Sequence, residues 1–161
     1  MKGLFTLIIL SIITFSNTIN LDVSGGSIHI SGNFENINLT ETNIQGDTFT
    51  QLHIKNCVST GKVGEPELPI YTRLIELPNT GNFILENISF EENIIDLSNA
   101  VLPSDFLDED EINTAEYQRD EWIPSEVVTI SDPNIMGAYR FSQIAVSPIQ
   151  YNPLQKKLRI I

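Results

Sequence analysis

The stretch GKVGEPELPIYTRLIELP, Gly61 to Pro78, decides how the rest of the chain is read. Gly61, Gly64, Pro66 and Pro69 crowd its first half. After Pro69 the pattern changes. Ile70, Thr72, Leu74 and Glu76 alternate with Tyr71, Arg73, Ile75 and Leu77, and Pro78 closes the run. β-Branched and aromatic side chains at period two predict a strand. Proline fixes φ and has no N–H to give to a sheet ladder, so a strand bracketed by prolines is framed by turns or lies at an edge. The stretch reads as turn, strand, stop.

Outward from it the same period recurs. Residues 27–31, 48–54, 83–90, 93–97, 127–130, 139–146 and 158–161 all read as strands. Turn residues separate them: Gly25-Gly26, Gly32-Asn33, Gln45-Gly46-Asp47, Asn79 to Gly81, and Asp132-Pro133-Asn134. Short strands at this spacing predict an all-β fold, an antiparallel β-sandwich of jelly-roll-like character. No segment carries a sustained helical stripe. The one helix candidate is Ser104 to Arg119, where Ser104 could cap and Asp105, Asp108 and Glu109 suit a first turn. Its apolar content is thin, so it reads as an acidic excursion with one or two turns.

The chain has 161 residues, one domain by length. Met1-Lys2-Gly3 followed by the twelve-residue run LFTLIILSIITF is too short to span a bilayer comfortably and has the form of an export signal. Residues 1–20 are assigned to it, with cleavage after Ser16 the best fit to the small-x-small rule, and residues 21–161 to the domain. The expected product is secreted, to the periplasm or the cell exterior. It carries no stable membrane insertion once the signal is removed. No cysteine stands near the signal, which excludes lipid anchoring there. The formal charge is −12, and loss of Lys2 makes it −13. A surface so acidic, with no basic patch, excludes nucleic acid as a partner. The last residues, Leu158 to Ile161, end the chain inside an apolar strand, an edge that favours self-association. The chain is therefore expected to be a fragment of a longer reading frame.

Catalysis by the chain itself finds no support. His53 and Cys57 are a tempting dyad, but four residues of extended chain hold them too far apart for a hydrogen bond. A reactive cysteine also needs an electropositive setting, which this sequence lacks. A single cysteine rules out a disulfide framework. His29, His53 and Cys57 match no zinc-ligand spacing. The oxygen-rich stretch from Asp108 fails the calcium-loop pattern, because Asn113 and Arg119 stand where glycine and glutamate are required. The carboxylates of Asp105 to Glu121 sit in one loop, not on facing walls of a cleft. No cofactor and no metal site is expected.

A second phrase stands far downstream: YRFSQIAVSPIQYNP, Tyr139 to Pro153, followed by Leu158. Together with Gly64, Pro66, Leu68 and Pro69, it resembles the propeptide domain of gingipain-type secreted cysteine peptidases over roughly residues 45–161. That resemblance implies a β-sandwich that assists folding of the peptidase in its own precursor and covers the substrate cleft until removed. It implies structural roles for Gly64, Pro66, Leu68, Pro69, Trp122, Pro124 and Arg140. Trp122 would pack against the sandwich, and Arg140, between Tyr139 and Phe141, would stack on an aromatic ring. Pro148, Gln150, Tyr151, Asn152 and Pro153 would shape a turn. It also implies a loop residue that enters the specificity pocket like a substrate side chain. Arg119 is the candidate on loop 104–121, and Tyr117 its substitute for a different pocket. The competing class is a secreted adhesion or carbohydrate-binding module without a peptidase partner. One tryptophan and four tyrosines, with no alternating aromatic platform, weigh against it.

Overall fold

The computed structural model describes residues 18–24, 27–79, 85–86, 88–104 and 114–161. These fall into two units, Met1–Glu35 and Asn36–Ile161. In the first, β1 (Thr18–Ser24) and β2 (Ser27–Asn33) pair antiparallel from Thr18↔Asn33 to Ser24↔Ser27. The expected strand 27–31 is β2. Of the signal assigned to residues 1–20, residues 1–17 lie outside the described residues, while Thr18 to Asn20 belong to β1.

The second unit opens with a hairpin of β3 (Asn38–Ile44) and β4 (Asp47–His53), joined by the two-residue turn Gln45-Gly46. The main sheet follows. β5 (Val58–Thr60) lies beside β6 (Leu68–Leu77), and β10 (Tyr139–Val146) lies on the other side of β6. β10 then carries β8 (Val128–Ile130) and β9 (Asn134–Met136) on its far edge. A second sheet has the order β11–β12–β7, from Ile149–Asn152, Lys157–Ile160 and Asn93–Asp96. Every strand pairing is antiparallel.

β6 shows how the sequence selects this arrangement. Its ladder with β10 runs from Tyr71↔Val146 to Leu77↔Arg140. Pro69 lies outside that ladder and Pro78 follows its end, so neither proline removes a bond between the two strands. The strand is interior to its sheet; Pro69 is its second residue and faces Ser59 of β5, and Pro78 stands just past its end. Ile75 and Leu77 are buried and Leu74 is 63% exposed, which is the alternation of a sheet with one covered face.

The core gathers Phe49 and Leu52 of β4, Leu68, Ile75 and Leu77 of β6, and Ile144 and Val146 of β10. Ile149, Tyr151 and Leu158 of the second sheet complete it, each with no exposed surface. β6 contacts both β4 and β11, so it is the element on which the layers meet. The chain changes sheets at Ser147-Pro148, between β10 and β11. There the Ser147 N–H donates to Val127 O at 2.8 Å, and the Pro148 carbonyl accepts from the Ile161 N–H at 3.0 Å. A buried proline suits this corner, since it has no N–H to leave unpaired.

Two expectations need correction. Residues 83–90 alternate like a strand, yet 85–86 and 88–90 belong to none, and Leu85, Ile88 and Phe90 are 37%, 50% and 43% exposed. Alternation supplies a face, but no neighbouring strand pairs with these residues. Residues 149–152, expected as part of a turn, are strand β11, and all four are buried. Pro148 and Pro153 bracket the strand, whereas at β6 only Pro78 lies outside, Pro69 being its second residue. In the acidic excursion the described helix is a single 3-10 turn, Ala115–Gln118, preceded by Thr114.

Candidate functional site

The long connection between β7 and β8 is where the two phrases converge. Residues 105–113 within it lie outside the described residues, and its two ends are tied down by different chemistry.

The entry, Ala100 to Ser104, is held by backbone. Thr50 N–H donates to Ala100 O at 2.7 Å, and Leu102 N–H returns to Thr50 O at 2.8 Å. Glu67 N–H donates to Leu102 O and Ser104 N–H to Glu65 O, both at 2.7 Å, around a bridge between Pro66 and Pro103. The Gly-x-Pro turn is shaped for this contact. Gly64 has φ +83°, a conformation that costs glycine little and side-chain-bearing residues more. Pro66 and Pro103 are fully buried. A Cβ on Gly61 would fall 1.8 Å from Ser104 Oγ and 2.9 Å from the Pro66 carbonyl oxygen. Glycine at 61 is what lets the turn close on the start of the connection.

The exit, Tyr117 to Pro124, is held largely by the side chains and ladder of β11. Ile123 and Tyr151 exchange two backbone bonds, at 2.9 and 2.8 Å. The Gln150 side-chain amide donates to Pro124 O at 2.6 Å. Asn152 Nδ2 and Gln155 Nε2 both donate to Asp120 Oδ1, at 2.9 and 2.6 Å. These bonds, Asn152 first, hold the Asp120 carboxyl below the ordinary range, since they favour its charged form. Leu154 N–H donates to Arg119 O at 3.3 Å. Trp122 lies under the Arg159 guanidinium, 4.3 Å from ring to cation. Arg159 also donates to Gln150 Oε1 at 3.2 Å and lies 3.1 Å from the Glu92 carboxylate.

Tyr117 ties the two ends together. Its hydroxyl donates to Val101 O at 2.6 Å, and its ring meets Tyr151 edge-on at 6.3 Å. The Tyr151 hydroxyl in turn accepts from Val101 N–H at 3.4 Å. Burial raises both phenol pKa values, with Tyr151 and Glu67 adding to the rise at Tyr117. Tyr117 is 9% exposed. In this arrangement it is a core anchor and offers no free side chain to a pocket.

Arg119 is different. It stands at the C-cap of the 3-10 turn with extended backbone, φ −82° and ψ 131°, and its side chain is 46% exposed. Its guanidinium is shared between two carboxylates: Nη1 donates to Glu116 at 2.6 Å, and Nη2 meets Glu121. Of the other expected positions, Arg140 donates to Pro78 O, just past the end of β6, at 3.1 Å. A cation that does cover a ring at this site is Arg159, above Trp122, which the sequence pattern did not single out. A lone arginine in a strand gives no sign of which ring it will cover.

The cysteine is inert by its surroundings. Cys57 is half-buried after the turn at Asn56, and desolvation pushes its thiol up to about 11. At neutral pH it stays protonated, the unreactive form. His53 is exposed at the end of β4. Among the described residues no group of three His, Cys, Asp or Glu side chains is placed to hold a metal ion. Also among them, no helix is long and apolar enough to cross a membrane.

Comparison with known proteins agrees with the fold. The family model Propeptide_C25 matches residues 20–161. Lys-gingipain of Porphyromonas gingivalis is 26% identical over 143 residues, covering 81% of this chain and 8% of that protein. Gingipain R2 of Porphyromonas gingivalis strain W83 is 32% identical over 124 residues, covering 72% of this chain and 16% of that protein. The chain thus spans a small fraction of the curated relatives it matches. A solved complex of Porphyromonas gingivalis RgpB pro- and mature domains superposes with TM-score 0.78 at 24% identity, covering 88% of this chain and 78% of that one. A structure concerning the zymogenic latency of gingipain K superposes with TM-score 0.76 at 23% identity, covering 92% and 89%. These likenesses show that the all-β antiparallel architecture is shared. The chain belongs to the Propeptide_C25 family: it is a gingipain-type propeptide, a non-catalytic region and not itself a peptidase.

Proposed function

We propose that this domain assists the folding of a gingipain-like cysteine peptidase carried in the same precursor and keeps it latent by covering its substrate cleft. Residues 1–20 direct the precursor out of the cell, and Arg119 enters the specificity pocket of the peptidase. The observation that carries this reading is the pinning of both ends of one long connection by the two phrases of the family. A blocking element works best as a loop on a rigid base, because the base has already met the cost of ordering it. The backbone ties at Ala100 to Ser104 and the amide ties at Arg119 to Pro124 supply that base. Arg119 stands next to the tied residue Asp120 and has the extended backbone of a bound substrate.

The test is to mix the exported chain with the mature peptidase of its precursor. Stoichiometric complex formation and inhibition are expected, with no hydrolysis by the chain alone. A chain that folds yet neither binds nor inhibits the peptidase would overturn the reading and favour a secreted adhesion or carbohydrate-binding module.

A further inference from the structure

Arg119 is the only cation among residues 105–121, where eight carboxylates also stand. Two of these hold it. Glu116, one turn earlier, and Glu121, two residues later, take separate nitrogens of one guanidinium. The third nearby carboxylate, Asp120, is turned away and committed to Asn152 and Gln155. The arrangement is therefore selective: two carboxylates face the guanidinium and one is held back from it. A pocket that takes an arginine side chain does so with carboxylate and carbonyl acceptors matched to the planar fork. Glu116 and Glu121 offer the same kind of acceptors within the chain.

We infer that Glu116 and Glu121 are positioning residues that compete with the peptidase for Arg119, acting as an internal substitute pocket that limits how tightly the propeptide inhibits. This rests on the reading of Arg119 as the inserted residue. In the free domain the guanidinium sits between its own two carboxylates. Insertion exchanges those partners for the acceptors of the pocket, so only the difference contributes to affinity. The competition also suits a propeptide that must let go after cleavage, since a released domain folds its arginine back onto Glu116 and Glu121.

The experiment compares inhibition constants of the exported chain and its variants against the mature peptidase of its precursor. Glu116→Gln/Glu121→Gln is expected to tighten inhibition roughly three- to tenfold, the scale of two exposed ion pairs. The same double substitution in an Arg119→Ala background is expected to have no effect. In the free chain, NMR of the Arg119 side chain should show slowed guanidinium rotation that becomes fast in the glutamine variant. Three outcomes would overturn the inference. If the glutamine variant inhibits equally or more weakly while Arg119→Ala weakens inhibition, the competition is wrong and Arg119 remains the inserted residue. If Arg119→Ala inhibits like the unaltered chain, the inserted residue is wrong and the competition fails with it. If the glutamine variant tightens inhibition equally without Arg119, the carboxylates act by general repulsion of the peptidase and not through the arginine.

Discussion

The two ends of the β7–β8 connection sit side by side, yet they are built on opposite principles. The entry at Ala100 to Ser104 is held by main-chain bonds to β4 and to the Gly-x-Pro turn, with prolines and glycines providing the fit. The exit at Arg119 to Pro124 is held by side-chain amides of Gln150, Asn152 and Gln155 as well as by backbone bonds with Tyr151 and Leu154. Backbone ties tolerate substitution of the residues that make them, provided the chain can still approach. Amide ties demand particular side chains. The contrast explains why the first phrase is written in Gly and Pro, and the second in Gln, Tyr and Asn.

Tyr151 is where the contrast can be broken most severely. It is fully buried, meets Tyr117 edge-on and pairs with Ile123. Tyr151→Ala should cost about 3–5 kcal/mol of stability, read by chemical denaturation, because a cavity opens under both ends at once. Tyr139→Ala, at 61% exposure on β10, is the control and should cost little. Equal losses from the two would show that the ends are not knotted through Tyr151.

Gly61→Ala probes the entry alone. The added methyl meets Ser104 Oγ and the Pro66 carbonyl, so a loss of about 1–3 kcal/mol is expected from overpacking. Denaturation that matched the unaltered domain would mean the turn can retreat without loosening Ala100 to Ser104.

Asp120 probes the exit, with a smaller effect. Its folded pKa is depressed by Asn152 and Gln155, so its stabilising contribution is present above the unfolded value of about 3.9 and is lost as pH falls through the folded value. NMR titration of its carboxyl should give a midpoint below about 3.9, shifting upward in Asn152→Ala. A midpoint at or above the unperturbed value would show that the amide tie is absent in solution.

The sequence revealed what depended on period and left hidden what depended on partners. β4, β6 and β10 were visible because each has one covered face, and the alternation of Ile75, Leu77, Ile144 and Val146 records it. β3 was missed because Asn38 to Ile44 is almost wholly exposed and carries no apolar stripe. β9 was missed because its first residue, Asn134, reads as turn after Asp132-Pro133. β11 was hidden between two prolines, and residues 85–86 and 88–90 deceived in the opposite sense, with an alternating pattern but no strand among the described residues. At the site, the two phrases were legible as a pair, and so was Arg119 as the lone cation of its loop. Their meeting was not. Nothing in the order of residues says that Gln150 will reach Pro124 or that Asn152 will reach Asp120, since those contacts close over 26 and 32 positions. Nor did Tyr117 announce itself as core, because one tyrosine in an acidic run shows no periodicity that would bury it.

The most direct test of the central claim is the inhibition constant of Arg119→Ala against the mature peptidase, measured beside its thermal unfolding. Buried anchors dominate interfaces, so inhibition should weaken roughly thirtyfold or more if Arg119 fills the pocket. Unfolding should stay within about a degree of the unaltered domain, since an exposed arginine paired to surface carboxylates contributes little to stability. An unchanged inhibition constant with unchanged unfolding would contradict the account. It would remove Arg119 from the mechanism and leave the block to the sandwich surface alone.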